Sequence, residues 1–365
     1  MKNKTKPQNY HDYLKLESLL SCQELLSDQA GEKAHDEMLF IITHQVYELW
    51  FKQILFELDS IFEVFDRDKI DESHIGVVVG RLERINEIQQ LLIDQIKILE
   101  TMTPMDFLNF RDLLTPASGF QSAQFRLIEN KFGLKNINRH GYGGVDYKSK
   151  IDKRETELVQ ESEQSLSLFD LIEQWLERTP FLVFDEFDFW DQYRVAVQRM
   201  ITKDKNIIKM NEKLPEDEKE NYLKQYKSTE KMFMSFFDEE IFSKRLESGE
   251  NRLSYKATHA ALLILLYRDQ PILHNPYRLL SKLIDLDELL TTWRYKHYLL
   301  ATRMIGRKIG TGGSVGASYL KKATSKHRIF DDLTSLTTFL IPRSDLPDLP
   351  KKVLKSLSFY YESKG

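Results

Sequence analysis

Residues 35 to 59 are the stretch that most restricts how this chain can fold. The sequence of this stretch is HDEMLFIITHQVYELWFKQILFELD. In a helix with 100° per residue, four of its side chains lie within about 60° of one another: Phe40, His44, Tyr47 and Phe51. A neighbouring stripe holds Ile42, Val46, Leu49 and Gln53. Apolar residues on both stripes predict a helix that is surrounded by protein. A histidine there needs a hydrogen-bond partner, since an unpaired buried polar group costs about 1–3 kcal/mol. That partner is either a backbone carbonyl, which would make His44 a core residue, or a ligand or metal.

Composition narrows the class of protein. A chain of 365 residues that is 41% hydrophobic and 12% aromatic can bury a large core, in one large domain or two smaller ones. The net charge of −4 argues against nucleic acid as a partner. Cys22 is the single cysteine, which excludes an internal disulfide and a cysteine-based metal site and indicates the cytoplasm. No signal-like segment and no apolar run of about 18 residues occurs, so neither secretion nor membrane insertion is expected.

Helical periodicity dominates the chain, which contains only 15 glycines and 10 prolines. It predicts an all-α fold, with helices near 74–102, 153–178, 185–200 and 255–268. We expect an N-terminal arm at 1–20, one helical domain at 21–345 and a tail at 346–365. A stretch rich in Lys and Glu, within 202–250, is predicted to form a solvated helical excursion whose aromatic part, 222–244, packs back on the body.

A second candidate histidine lies in the helical pattern of residues 287–307. His297 is in the middle of one apolar stripe: Leu286, Leu290, Trp293, Leu300 and Met304. No second ligand stands at metal-binding spacing, as in HExxH. A lone buried histidine suits the axial position of a haem, where the porphyrin supplies the other four nitrogens. The alternative for His297 is a core histidine. We interpret His259 as a core or helix-start histidine. Together His44 and His297 could face one cofactor from opposite sides.

A short helix after Thr103 and Pro104 carries a possible anion site. The hydroxyl, the proline and Asp106 are typical of a helix start. Arg111 emerges from an apolar stripe with Phe107 and Leu114, and its guanidinium needs an anion. That anion is either Asp112 or another internal carboxylate, or it is a ligand carboxylate. Ser118 is predicted to cap the next helix.

Two further segments have features of binding elements. Residues 310–316 contain four glycines in seven positions, which lets backbone amides and the Thr311 hydroxyl approach a ligand closely. The context argues against a nucleotide loop, because a helix precedes the glycines and no Gly-Lys-Ser/Thr follows. Near the N-terminus, Tyr10 and Tyr13 share a helical face that packs either on its own chain or on a neighbouring one.

Four strings carry a family resemblance: HDEMLFIITHQVYELW, FRDLLTPASGFQSAQFR, WRYKHYLLATRMIG and GTGGSVGASYL. In this order they resemble the tryptophan 2,3-dioxygenase family, at both ends and the centre of the chain and least between 136 and 251. The resemblance implies a helical haem enzyme that inserts both atoms of O2 across the indole C2–C3 bond of L-tryptophan. The implied product is N-formyl-L-kynurenine, in the first step of the kynurenine pathway, and the implied assembly is a homotetramer, a dimer of dimers.

The resemblance also implies roles for individual residues. His297 matches the axial ligand of haem b iron, and His44 matches the histidine that hydrogen-bonds the indole N–H. Arg111 matches the partner of the substrate carboxylate, and Thr311 lies near the substrate ammonium. Further substrate-side positions are expected at Phe40, Ile41, Ile42, Thr43, Phe107, Leu114 and Ser118. Tyr10 and Tyr13 match a pair that reaches into the active site of a neighbouring subunit.

The chain departs from the family pattern at two sites. Phe107 stands where some members carry tyrosine, and Val315 replaces a frequent second serine in the glycine-rich loop. Neither change removes the haem ligand or the carboxylate partner. Two other functions remain open at this point, which are a haem oxygenase for a different indole and a haem sensor without turnover.

Overall fold

The structure is a computed structural model that describes residues 8–67, 70–134, 147–178, 183–184, 187–306, 308, 320–321, 324 and 327–357. Its first half contains helices α1 (Tyr10–Leu14), α2 (Leu16–Leu20), α3 (Leu26–Gln29), α4 (Glu37–Phe65), α5 (Glu72–Leu99), α6 (Pro104–Arg111), α7 (Ala123–Phe132), α8 (Lys153–Gln164) and α9 (Leu168–Glu177). Its second half contains α10 (Phe189–Met210), α11 (Glu216–Phe236), α12 (Glu239–Glu247), α13 (Tyr255–Leu266), α14 (His274–Ile305), α15 (Asp331–Ser335) and α16 (Lys351–Leu357).

Helices dominate the described part of the chain. Its strands are β1 (Val183–Phe184) and β2 (Phe187–Asp188), which pair antiparallel over two residues each. The predicted all-α fold class is therefore confirmed. None of the described helices combines the length and apolar character needed to cross a membrane.

Three long helices organise the core. Helices α4, α5 and α14 contain 29, 28 and 32 residues, and α5 packs against both of the others. Leu58 of α4, Leu82 of α5 and Leu283 of α14 are fully buried in the same hydrophobic cluster. This packing fixes the relative positions of His44 on α4 and His297 on α14.

The apolar stripe of α4 that includes Ile42 and Leu49 is more exposed than the sequence predicted. Ile42, Leu49 and Phe56 are 44%, 51% and 70% exposed, and their spacing of seven residues places them on one line along the helix. The expectation that α4 is enclosed on two sides is wrong for the single chain. Periodicity detects an apolar stripe but does not reveal whether the same chain covers it.

Two helix boundaries also differ from the prediction. The segment 153–178 forms two helices, because Ser165 ends α8 and Ser167 begins α9 with a capping box that includes Asp170. Helix α10 continues beyond residue 200 to Met210 and packs on α11. The predicted return of residues 222–244 to the body is confirmed, since Phe233 and Phe236 are buried in the core.

His259 is a core histidine, as the sequence predicted. Its Nδ1–H donates to the Tyr255 carbonyl at 2.7 Å, and its ring centroid lies 4.4 Å from that of Trp190 and 4.5 Å from that of Phe236. The buried Nε2 atom has no hydrogen-bond partner in the described structure. Burial lowers the pKa of the His259 imidazole to about 4, against a weaker opposing effect of the hydrogen bond to Tyr255.

This lowered pKa predicts an acid-sensitive core. Between pH 6.5 and 4 the unfolded chain binds a proton at His259 that the folded chain does not, so the free energy of unfolding falls as the pH falls. The expected contribution is about 2 kcal/mol between pH 7 and 5. Urea titrations at both pH values should show a smaller loss for His259→Gln than for the wild type. Equal losses in the two proteins would contradict the assignment.

Candidate active site

Both candidate histidines lie on the wall of one cavity of about 290 Å³. Helices α4, α5, α6, α7 and α14 enclose it, together with residues 118–122. The wall is largely apolar, and its aromatic part comprises Phe40, Tyr47, Phe51, Phe107, Phe120, Phe125 and Trp293. A concave, apolar site with a few polar groups is the usual form of a small-molecule site.

His44 presents a hydrogen-bond acceptor to this cavity. Its Nδ1 lies 2.7 Å from the Phe40 carbonyl oxygen, which can only accept, so Nδ1 carries the proton. Burial lowers the pKa of His44, while the hydrogen bond to Phe40 and the charge of Glu48 act in the opposite direction. The imidazole is therefore neutral near pH 7, and its Nε2 has a lone pair that can accept a hydrogen bond from a ligand.

His297 has the features of a single metal ligand. The described part of the chain offers its ring no hydrogen-bond partner, and the Trp293 ring lies 5.2 Å away. Burial, followed by the nearby His44, lowers the pKa of His297 to about 4, which leaves the ring neutral and able to coordinate. Among the described residues, no cluster of three or more His, Cys, Asp or Glu could hold a metal ion. One neutral imidazole in an apolar cavity fits a haem, which needs only an axial ligand from the protein.

Arg111 ends α6 and borders the same cavity. Its Nη1 lies 3.3 Å from Asp112 Oδ1, but the Asp112 side chain is 91% exposed, so solvent weakens the pair. Asp112 is thus one of the two anions considered for Arg111 in the sequence analysis. The Arg111 side chain nevertheless lines the cavity. Thr103 and Asp106 form the capping box that begins this helix, as the sequence predicted.

Ser118 combines two functions at the cavity wall. Its hydroxyl accepts a hydrogen bond from the Phe120 amide at 3.4 Å, and its own amide donates to Gln121 Oε1 at 3.0 Å. Ser118 thus caps the short 3-10 helix Gly119–Gln121, whereas Ser122 caps α7, so the prediction that Ser118 caps the longer helix is wrong. Ser118 also lines the cavity.

The remaining predicted positions are placed differently. Successive helical residues are 100° apart, so Ile41, Ile42 and Thr43 occupy other faces of α4 and are not among the described residues that line the cavity. Leu114 packs on a small apolar cluster that also includes Phe40 and Phe107. Tyr10 and Tyr13 are exposed on α1. Thr311 and Val315 lie outside the described residues.

A buried group of charges on the cavity wall escaped the sequence analysis. Arg126 and Arg294 both contact Glu129, at 2.8 Å and 2.7 Å. Arg294 also donates to the His327 carbonyl at 2.9 Å, so it links α14 to α7 and to the chain that follows the glycine-rich loop. The one available signal was the position of Arg294, one turn before His297 on the same helix.

Comparisons with known proteins agree with this site. The tryptophan 2,3-dioxygenase family model matches residues 1–340. A tryptophan 2,3-dioxygenase of Bdellovibrio bacteriovorus is 53% identical over 356 residues, 97% of this chain and 99% of the relative. Relatives with the same name from Dictyostelium discoideum and Xenopus tropicalis are 48% and 46% identical, over 96% and 95% of this chain and 88% and 86% of their own lengths.

These matches define an oxidoreductase of the dioxygenase class. The chain belongs to the tryptophan 2,3-dioxygenase family. The resemblance drawn from the four motifs is therefore confirmed.

The buried charges predict a large effect on stability. Arg294→Gln would remove the cation that joins Glu129 to the His327 carbonyl, while Arg126 still pairs with Glu129, so we expect the free energy of unfolding to fall by about 1.5–3 kcal/mol. Arg278→Gln is a matched control, because Arg278 and Glu83 are each 41% exposed and such pairs contribute about 1 kcal/mol or less. Urea denaturation compares the two variants. Similar small losses would show that the Glu129 pair is not a major stabilising contact.

Proposed function

We propose that this enzyme binds haem b through His297 and converts L-tryptophan and O2 into N-formyl-L-kynurenine. Both oxygen atoms enter across the indole C2–C3 bond, in the first step of tryptophan degradation by the kynurenine pathway. The observation that carries the proposal is the neutral His297 imidazole, which borders an apolar cavity also lined by His44. Membership of the tryptophan 2,3-dioxygenase family supports the choice of substrate.

The protein's own contribution is to hold the substrate in place. Arg111 pairs with the tryptophan carboxylate, and Thr311 helps Arg111 to fix the amino-acid end of the substrate. Phe40 and Phe107, whose ring centroids are 5.8 Å apart, pack around the indole and exclude water, with Leu114 and Ser118 beside them. Bound haem supplies the iron that binds and activates O2.

His44 orients the indole ring in this proposal. Its Nδ1–H is engaged by the Phe40 carbonyl, so Nε2 accepts a hydrogen bond from the indole N–H. Ile41, Ile42 and Thr43 contribute as parts of the helical turn that carries Phe40 and His44. The contacts at the carboxylate and at the ring nitrogen fix the direction of the substrate in the cavity, and the packing of Phe40 and Phe107 limits rotation of the indole about that direction.

We further propose that the enzyme is a homotetramer, built as a dimer of dimers, in the cytoplasm. The exposed α4 stripe of Ile42, Leu49 and Phe56 is apolar surface of the kind that subunit contacts bury. Tyr10 and Tyr13 lie exposed on an N-terminal helix, which suits a role in the site of a neighbouring subunit. The single cysteine of the chain supports the reducing compartment.

A single series tests the reaction and its anchors. Haem-loaded protein is reduced without O2, mixed with L-tryptophan and exposed to O2, while N-formylkynurenine and the haem spectrum are followed together. We expect product from the wild type and from the surface control Arg278→Gln. Arg111→Ala should lower kcat/KM about 100-fold, because it loses charge-assisted hydrogen bonds to the carboxylate. His297→Ala should lose the histidine-ligated haem spectrum and turnover together.

The same series separates the competing functions. An oxygenated haem spectrum with no product from tryptophan would contradict the proposal. Product from another indole would then identify a different substrate, and no dependence on any indole would indicate a sensor. Wild-type protein that retains no haem would contradict the proposal at its first step.

The role of His44 is tested by His44→Ala. If His44 only orients the indole, the variant should lose about tenfold in kcat/KM, as expected for one hydrogen bond. Removal of an obligatory general base would lower kcat by about 10²–10⁴-fold. Single-turnover rates with saturating tryptophan distinguish the two cases. A loss of the larger size would contradict the orienting role.

A further inference from the structure

The charges on the cavity wall do not balance. Among the described residues that line the cavity, three are arginines and two are glutamates: Arg111, Arg126, Arg294, Glu48 and Glu129. Arg111 also contacts the exposed Asp112, but the buried cluster of Arg126, Arg294 and Glu129 carries an excess positive charge, and burial of an uncompensated charge is strongly unfavourable.

Arg126 has an incomplete set of partners among the described residues. It is 5% exposed, and Glu129 Oε2, 2.8 Å from Nη1, is its hydrogen-bonded acceptor. Its buried Nε has no hydrogen-bond partner in the described structure. Three aromatic rings surround the guanidinium, with centroids 5.9, 5.7 and 5.4 Å from the central carbon, at Phe120, Phe125 and Tyr147. A guanidinium has five donors, so the described residues leave most of the hydrogen-bonding capacity of Arg126 unused.

Glu129 cannot neutralise both of its partners. Its Oε2 accepts from Arg126, and its Oε1 accepts from Arg294 at 2.7 Å. The second nitrogen of Arg294 is satisfied by the neutral His327 carbonyl. This cluster of two arginines and one carboxylate therefore has room for one more anion, and its buried nitrogen without a hydrogen-bond partner in the described structure is Nε of Arg126.

We infer that Arg126 binds a carboxylate of the bound ligand, and that this carboxylate is a haem propionate. A planar guanidinium with unused donors matches a carboxylate in geometry and charge. The tryptophan carboxylate is the other possible source, but Arg111 serves it from a different element, at the end of α6 beside Phe107. Arg126 is on α7 with the buried Glu129, on the wall that Arg294 joins to the His297 helix. The assignment rests on the proposed haem function.

Esterified haem tests the source of the carboxylate directly. Apoprotein is loaded with ferric protohaem or with its dimethyl ester, and the rate of haem loss to an excess of a haem-scavenging protein is measured from the spectrum. In the wild type the ester should leave at least about tenfold faster, because its esters cannot form charged hydrogen bonds. We call the rate of loss of the dimethyl ester divided by that of protohaem the ester-to-acid ratio. Arg126→Gln should speed the loss of protohaem and reduce this ratio to about one. Arg126→Lys, which keeps the charge, should retain part of the ratio.

Two other arginines provide matched controls. Arg111→Gln should weaken tryptophan binding, measured by spectral titration of the ferric protein, and leave the ester-to-acid ratio unchanged. Arg252→Gln removes a half-buried arginine that is not among the described residues lining the cavity. The Arg252 guanidinium instead lies 4.1 Å from the Phe169 ring centroid. That variant should leave both the ratio and tryptophan binding unchanged. Far-UV circular dichroism checks that every variant is folded.

The outcomes separate the alternatives. An ester-to-acid ratio near one in the wild type would overturn the inference without any variant. If Arg126→Gln keeps the wild-type ratio but weakens tryptophan binding about tenfold or more, the carboxylate belongs to the substrate and the assignment is wrong. If it changes neither, Arg126 is structural. Failure of the wild type to hold protohaem would instead overturn the proposed function itself.

Discussion

The packing of α5 between α4 and α14 is the constraint on which the rest of the structure depends. Apolar burial supplies most of the free energy, and polar contacts set the register between the helices. The Tyr47 hydroxyl on α4 donates to the Leu92 carbonyl on α5 at 2.5 Å. On the other side of α5, the Asn86 amide donates to the Lys282 carbonyl on α14 at 3.0 Å. A shift of either outer helix along α5 would break one of these bonds and separate the two cavity histidines.

The cavity wall contains histidines, which burial keeps neutral, and arginines, which stay charged when buried. Burial keeps His44 and His297 neutral, since an isolated imidazolium would be poorly solvated there. Arginine does not become neutral on burial, because its pKa is too high for burial to remove the charge. The wall therefore offers neutral ring nitrogens and permanent cations side by side. Such a site favours ligands that are flat and apolar over most of their surface but carry carboxylates at the edge.

The sequence predicted the parts of this structure that depend on local pattern. Periodicity identified the helices of His44, His259 and His297, and hydroxyl and proline signals identified the start at Thr103. It did not reveal the break at Ser165, where two serines interrupt an otherwise helical pattern. Nor did it reveal the charged wall, because a charged residue in a sequence is most often exposed and the contact from Arg294 to Glu129 spans 165 positions. The placement of Thr311 is outside what the structure describes.

The hydrogen bond from His44 to its own helix has a consequence for molecular discrimination. Because the Phe40 carbonyl holds the ring proton on Nδ1, the tautomer of His44 is set by the fold before any ligand arrives. The opposite nitrogen then always presents electron density. A bicyclic ligand with an ether oxygen or sulfur in place of the indole N–H would bring a second lone pair against the first, and the two would repel. Shape alone would admit such an isostere, whereas the fixed tautomer disfavours it on electronic grounds.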